Sequence, residues 1–254
     1  MKLRKRLLIA PAVILPGLFA LVLTSCKTMP EQQGIAGQSS IATEKDTENG
    51  LDENGNPVGM EVEIYTFATA PVSIERNEVS SFKLPNGDIH WYEPVFVAEK
   101  GINWVQAKAL AEQAGGYLAT ITSEQENLFV FNLIKDKKYW FQWDHTHNYV
   151  MNGPFLGGFQ PMGDFANDQN WKWVTGEEFT YEDWCHDGDD GDEDPRPNDQ
   201  PNDATGNQNV LAYGELNKPV PSWGDFPHML SSYNDVHDGK SHGFIIEYEA
   251  KPIK

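Results

Sequence analysis

Between Asp199 and Glu215 the sequence reads DQPNDATGNQNVLAYGE. The stretch packs proline, glycine, side-chain amides and two aspartates just ahead of an apolar run that reads as a strand. Carboxylate and amide oxygens at such spacing are the donors calcium takes, about six to eight at a time. Just upstream lies HDGDDGDEDPRPND (186–199), where Asp187, Asp189, Asp190, Asp192, Glu193, Asp194 and Asp199 crowd a glycine-rich loop. Carboxylates this close repel one another unless a cation or water screens them. The run lacks the D-x-D-x-D-G spacing and closing glutamate of an EF-hand, so a solvated acidic insertion and a divalent-cation site both remain open. A third cluster, WDHTHN (143–148), sets Asp144, His145 and His147 together. Two histidines at i and i+2 share one side of an extended chain, which suits a transition metal, but no further ligand is identifiable and a surface aromatic loop is the competing reading. Trp140, Phe141, Trp143 and Tyr149 around it could stack on sugar faces or roof the core.

The elements that must hold these loops are mixed. HWYEPVFV (90–97) reads as a strand. INWVQAKALAEQAGG (102–116) reads as a helix, with Trp104, Ala107, Ala111 and Ala114 on one face and Gly115 ending it. YLATI (117–121) is extended. TSEQENLFVFNLI (122–134) starts a second helix, with Ser123 as N-cap and Glu126 completing a capping box. LGGF (156–159), NWKWVTGEEFTY (170–181, a strand into a turn), NVLAYGE (209–215) and GFIIEYE (243–249) follow. Two helices succeeded by irregular sheet and long loops predict an α+β domain over 83–250. Residues 26–82 are expected to be a flexible tether with β-like patches that cannot be placed: 27–58 is polar and poor in aromatics, too little to offset its ordering entropy.

The first 25 residues carry a different message. Lys2, Arg4, Lys5 and Arg6 precede an apolar core from Leu7 to Leu23 that Pro11 and Pro16 interrupt, the tripartite pattern of a bacterial export signal. Its end, Leu23-Thr24-Ser25-Cys26, resembles the lipobox of bacterial lipoproteins, which implies a diacylglyceryl group on Cys26 and a firm membrane anchor. Lys27 is not the aspartate of an inner-membrane retention signal, so an outer-membrane or cell-surface location is expected. Removing residues 1–25 takes away four positive charges and no acids, moving formal charge from −19 to −23. Such acidity argues against nucleic acid as a partner. Cys26 and Cys185 are the two cysteines; with Cys26 acylated no intrachain disulfide is possible, and Cys185 is expected as a small buried residue.

The order of motifs is similar to the C-type lectin-like domain. NWVQAKALAEQAGGYLATITSEQEN, LGGF in place of the family's W-I-G-L, WKWVTGEEFTYEDW, the Q-P-N-D run, YND and the closing GFIIEYE cover roughly 83–250 in family order. The resemblance implies a double-looped α+β fold without disulfides, whose termini meet in a sheet and whose long loop binds ligand. Ala111 and Ile246 stand at one of the family's cysteine pairs, and Val210 and Asp238 at the other; an apolar pair can fill the first by packing. Trp171, Trp173 and Trp184 match core positions.

The resemblance also implies a ligand set: Gln200, Asn202, Asp203, Gln208, Asn234 and Asp235, with Asp203, Asn234 and Asp235 as the calcium ligands. Glutamine stands at both glutamate positions, so the primary set supplies one carboxylate, Asp235, and calcium is expected to bind weakly unless the acidic loop assists it. SWGDFP (222–227) offers a second register in which Trp223 and Asp225 replace Tyr233 and Asp235. Gln-Pro-Asn mixes the family's mannose-type and galactose-type triplets and names neither sugar. No nucleophile elbow, phosphate loop or spaced catalytic motif is present, so the chain is not expected to be an enzyme. The expected function is carbohydrate binding from a lipid-anchored surface or periplasmic position. The rival is a calcium-independent adhesion or structural module that grips a protein partner.

Overall fold

The computed structural model describes residues 50–58, 73–98, 101–145, 148–162, 169–186, 199–203, 207–216, 218–228 and 240–253, with 142–151 and 215–216 as backbone. These fall within one compact unit, Glu44–Lys254. The export signal, Cys26, His147, the acidic run 187–198 and the YND segment lie outside the described residues.

Strand β5 (Ile89–Val97) and the last strand, β12 (Gly243–Tyr248), pair antiparallel from Gly243↔Phe96 to Tyr248↔Trp91. The two ends of the domain therefore meet in one sheet, as the resemblance implied. β12 also takes β6 (Tyr117–Leu118) antiparallel and β8 (Asn148–Phe159) parallel through Phe244↔Phe155. From β8 the sheet runs outward to β10 (Gln208–Leu216) and β11 (Trp223–Pro227), both antiparallel. β7 (Phe141–His145) folds back on β8 as a hairpin, and β9 (Lys172–Trp173) pairs β8 at Gly158 and Phe159. The expected α+β class is what the chain builds. The 170–181 stretch is strand only at Lys172–Trp173 and irregular elsewhere.

Period-two alternation puts core on both sides of this sheet. Phe155, Phe159, Val210, Ala212, Phe244 and Ile246 face helix α1 (Trp104–Gln113) with Trp104, Ala107 and Ala111. Their neighbours Leu156, Leu211, Tyr213 and Ile245 face helix α2 (Glu124–Ile134) and the tryptophans Trp140, Trp171, Trp173, Trp184 and Trp223. Ala111 and Ile246 are both buried in the first core, so packing fills the space a crosslink occupies in the family. Trp140 is 2 % exposed, its indole donating to the Ile134 carbonyl at 2.8 Å. That indole roofs the core. Gly157 lies so close to β6 that a Cβ there would meet the Leu118 carbonyl oxygen at 2.5 Å, which explains a glycine in the LGGF motif.

Both helices start on side-chain caps, and the full capping box is on the first. Asn103 accepts from the Gln106 amide at 2.9 Å and Gln106 returns the bond at 3.2 Å, a full capping box on α1. Gly115, at φ +81°, ends that helix and lets the Gly116 N–H reach the Ala111 carbonyl. Ser123 caps α2, yet Glu126 does not close the box. It turns inward to the Thr122 amide and hydroxyl at 2.8 and 2.9 Å and to the Tyr92 hydroxyl.

The packed domain begins well before Lys83. β1 (Gly50–Leu51) and β2 (Pro57–Val58) form a hairpin, with Leu51 fully buried against the α1 core. Its polar turn is held by Asp52, whose carboxylate accepts the amides of Asn54 and Asn56, and Lys108 of α1 donates to Asn56 at 3.0 Å. β3 (Ile74–Arg76) and β4 (Ser80–Lys83) both pair with β5. Strands of two to four residues leave no periodicity to read, so a polar composition suggested tether where there is sheet.

Candidate functional site

The long-loop region is built on β11 and on a hub in α2. Asn127 is fully buried, and all four of its side-chain hydrogen-bonding positions are used. Its amide donates to Asp183 and to the Pro221 carbonyl, both at 2.8 Å; its oxygen accepts from the Tyr213 hydroxyl at 2.8 Å and the Trp223 indole at 3.1 Å. One side chain thus ties helix, loop and both outer strands together. Beside β11, the chain at Asp183–Cys185 runs as a parallel bridge. The Trp223 N–H donates to Asp183 at 2.7 Å, and the Cys185 N–H donates to Trp223 at 2.8 Å. Cys185 is buried as expected, its thiol donating to the Gly214 carbonyl at 2.8 Å.

From this base springs the Q-P-N-D turn. The Gln200 N–H donates to the Cys185 carbonyl at 2.9 Å, and the Gln200–Pro201 bond is cis. The next two amides, of Asn202 and Asp203, donate to the two oxygens of one carboxylate, Asp225, at 3.0 and 2.8 Å. Asp203 stands at φ +43°, the left-handed region that short polar side chains tolerate. Its carboxylate accepts the Gln208 amide at 2.9 Å, fastening the turn to the start of β10. Asp225 is fully buried. Burial pushes its carboxyl up to about 6, against the downward pull of the Asn202 and Asp203 amides and of its own; the charge of Asp203 adds to the rise.

Of the expected ligand set, Gln200, Asn202, Asp203 and Gln208 come together at this turn. Asn234 and Asp235 lie outside the described residues. Among the described residues an acid of another segment that meets the turn is Asp225, the member of the second register, because Trp223–Pro227 is the strand paired to β10 (Leu211↔Asp225). Sequence reasoning missed Asn127 altogether: a single amide inside an amphipathic helix gives no signal of four partners. Asp183, Trp184 and His186 also line a groove of about 600 Å³ with Glu182, Val220, Pro221 and Ser222. His186 and Asp199 approach to 3.3 Å beside it.

By themselves the described donors do not complete a calcium site, and Asn234 and Asp235 of the expected set lie outside the described residues. Both Asp225 oxygens and one Asp203 oxygen accept amide hydrogens, and Gln200 and Gln208 are neutral and only 4 % and 6 % exposed. Among the described residues there is no group of three or more histidine, cysteine or acidic side chains placed to hold a metal.

No protein-family model matches the chain. A perlucin-like protein of Mytilus galloprovincialis is 31 % identical over 91 residues, 35 % of this chain, and the match spans about half (49 %) of that protein's length. Solved structures with a similar trace include the carbohydrate-recognition domain of cow CD23, determined with a GlcNAc2Man3 oligosaccharide (TM-score 0.39, 18 % identity, 64 % of this chain and 89 % of that one). A calcium-independent type II antifreeze protein (0.39, 18 %, 63 % and 85 %) and the mouse scavenger receptor C-type lectin carbohydrate-recognition domain (0.41, 15 %, 64 % and 92 %) are others.

Proposed function

We propose that the chain is a carbohydrate-binding module that presents the Gln200–Asp203 turn to a glycan from a lipid-anchored position on the cell envelope. The observation that carries this reading is the turn at Asn202 and Asp203, held on Asp225 and fastened to the start of β10. Amides and carboxylates of this kind suit ligands rich in hydroxyls, which donate and accept at once. The adjoining groove of about 600 Å³, with Trp184 and Ser222 in its wall, lies in the size range of small-ligand sites. A calcium ion at this turn would need carboxylates from outside the described residues, from the acidic run or from Asp235.

The test is a glycan array probed with the full chain, once in calcium and once in chelator. Discrete glycans should be retained, and Asn202→Ala or Asp203→Ala should weaken them roughly tenfold, the loss of one good hydrogen-bonding group. An empty array, or variants that bind like the parent, would sink the reading and leave the protein-partner module in its place. The anchor has its own test. Cys26→Ser should move the protein from the membrane to the soluble fraction and abolish incorporation of labelled fatty acid; an unchanged distribution would refute acylation.

A further inference from the structure

We infer that Asp225 organises the ligand loop in place of a metal ion, so that the turn takes its shape without calcium. Two successive N–H groups, of Asn202 and Asp203, converge on this one carboxylate, the geometry of a backbone nest around an anion. Here the anion is internal, fully buried, and held by the register of β11 on β10. Both amide hydrogens take acceptor positions on the Asp225 oxygens that a cation would otherwise use. An ion entering there would compete with both part-buried donors for the same carboxylate, and hydrogen bonds to a charged group are costly to leave unmade.

Two further backbone fastenings hold the turn. Gln200 is tied back to Cys185, and Asp203 forward to Gln208, in each case through a backbone N–H. Anchors on three separate segments therefore fix four consecutive residues. Charge-assisted bonds to a buried carboxylate are the stronger class of hydrogen bond, and they need no ion to be strong. Asp225 acts through the loop and is a positioning residue. The inference holds whether the loop's ligand is a glycan or a protein.

The experiment is hydrogen–deuterium exchange on the full chain, read by mass spectrometry on peptides spanning 199–208 and, as an internal reference, on β12. In the parent, protection across 199–208 should be the same within about twofold in chelator and in about 10 mM calcium, the weak end of calcium affinities and beyond. Asp225→Ala should speed exchange of the Asn202 and Asp203 amides at least about tenfold, as loss of a charge-assisted bond implies, while β12 stays protected. Asp225→Glu, which keeps the charge, should recover part of that protection. Calcium slowing exchange in the parent by more than about tenfold overturns the inference, as does an Asp225→Ala protein that exchanges like the parent at these two amides. Should Asp225→Ala lose its fold, seen as loss of protection in β12, the comparison of chelator with calcium in the parent decides alone.

Discussion

Raising the pH above about 6.5 should weaken this fold, because two buried carboxylates share a proton-dependent network with His90. The His90 imidazole lies 2.5 Å from Glu247, which is 1 % exposed on β12 and also accepts from the Thr120 amide at 2.8 Å and hydroxyl at 3.1 Å. The Tyr92 hydroxyl sits between Glu247, at 3.3 Å, and Glu126 of α2. Glu177, Asp88, Glu249 and Tyr117 face the same histidine across an open groove. The bond to Glu247 raises His90 above its ordinary value of 6.5, with the charges of Glu247, Glu126 and Glu177 adding to it. Burial raises Glu126 above its ordinary 4.5.

Both shifts have the same sign: the folded chain binds protons that the unfolded chain has released. The His90 contribution is fully present below pH 6.5 and disappears as pH climbs through the raised folded value. The Glu126 contribution is present below about 4.5 and fades upward in the same way. Where folded His90 is protonated and unfolded His90 is not, stability falls by at most about 1.4 kcal/mol per pH unit. Replacing His90 by glutamine removes the charge while keeping a donor. With Glu247 left buried, the cost near pH 6 should be about 3 kcal/mol, the low end for breaking a buried pair whose survivor keeps other donors. That corresponds to roughly 6–12 °C in melting temperature for a domain of this size. The assay is urea unfolding by tryptophan fluorescence from about pH 5.5 to 8.5, with the parent compared with His90→Gln. Their difference should be largest at the acid end and shrink as pH rises. A difference that stays constant or grows with pH would refute the reasoning.

Two further substitutions test the scaffold beneath the loop. Asn127→Leu should destabilise by about 3 kcal/mol or more in urea unfolding, since the Tyr213 hydroxyl and Trp223 indole lose a buried acceptor together; a loss under about 1 kcal/mol would dismiss the hub. Gly157→Ala sets a methyl 2.5 Å from the Leu118 carbonyl and should cost about 1–3 kcal/mol, checked by thermal melt.

What the sequence disclosed follows from how far each signal reaches along the chain. Both helices carry caps and an apolar face within a dozen residues, and both stand within a residue or two of where those signals put them. β5, β10 and β12 are long enough to show as strands. β1 to β4 are not, and Leu51, fully buried in a polar hairpin, is the kind of anchor that composition averages away. The capping box at Ser123 misled because Glu126 was read as a local partner; it is recruited across the fold by Tyr92, 34 residues away.

The ligand turn shows the same limit more sharply. Its residue types announced an oxygen-rich loop, and Gln200, Asn202, Asp203 and Gln208 do meet. Which acids meet them depends on strand register: pairing with β10 brings Asp225, the second-register residue, to the turn, while Asp235 lies outside the described residues. The type of a residue also does not tell which of its atoms are already engaged. On the second register Asp225 would stand in for Asp235 as a calcium ligand. In the fold its two oxygens accept the amide hydrogens of Asn202 and Asp203, the observation on which the inferred metal-free turn rests.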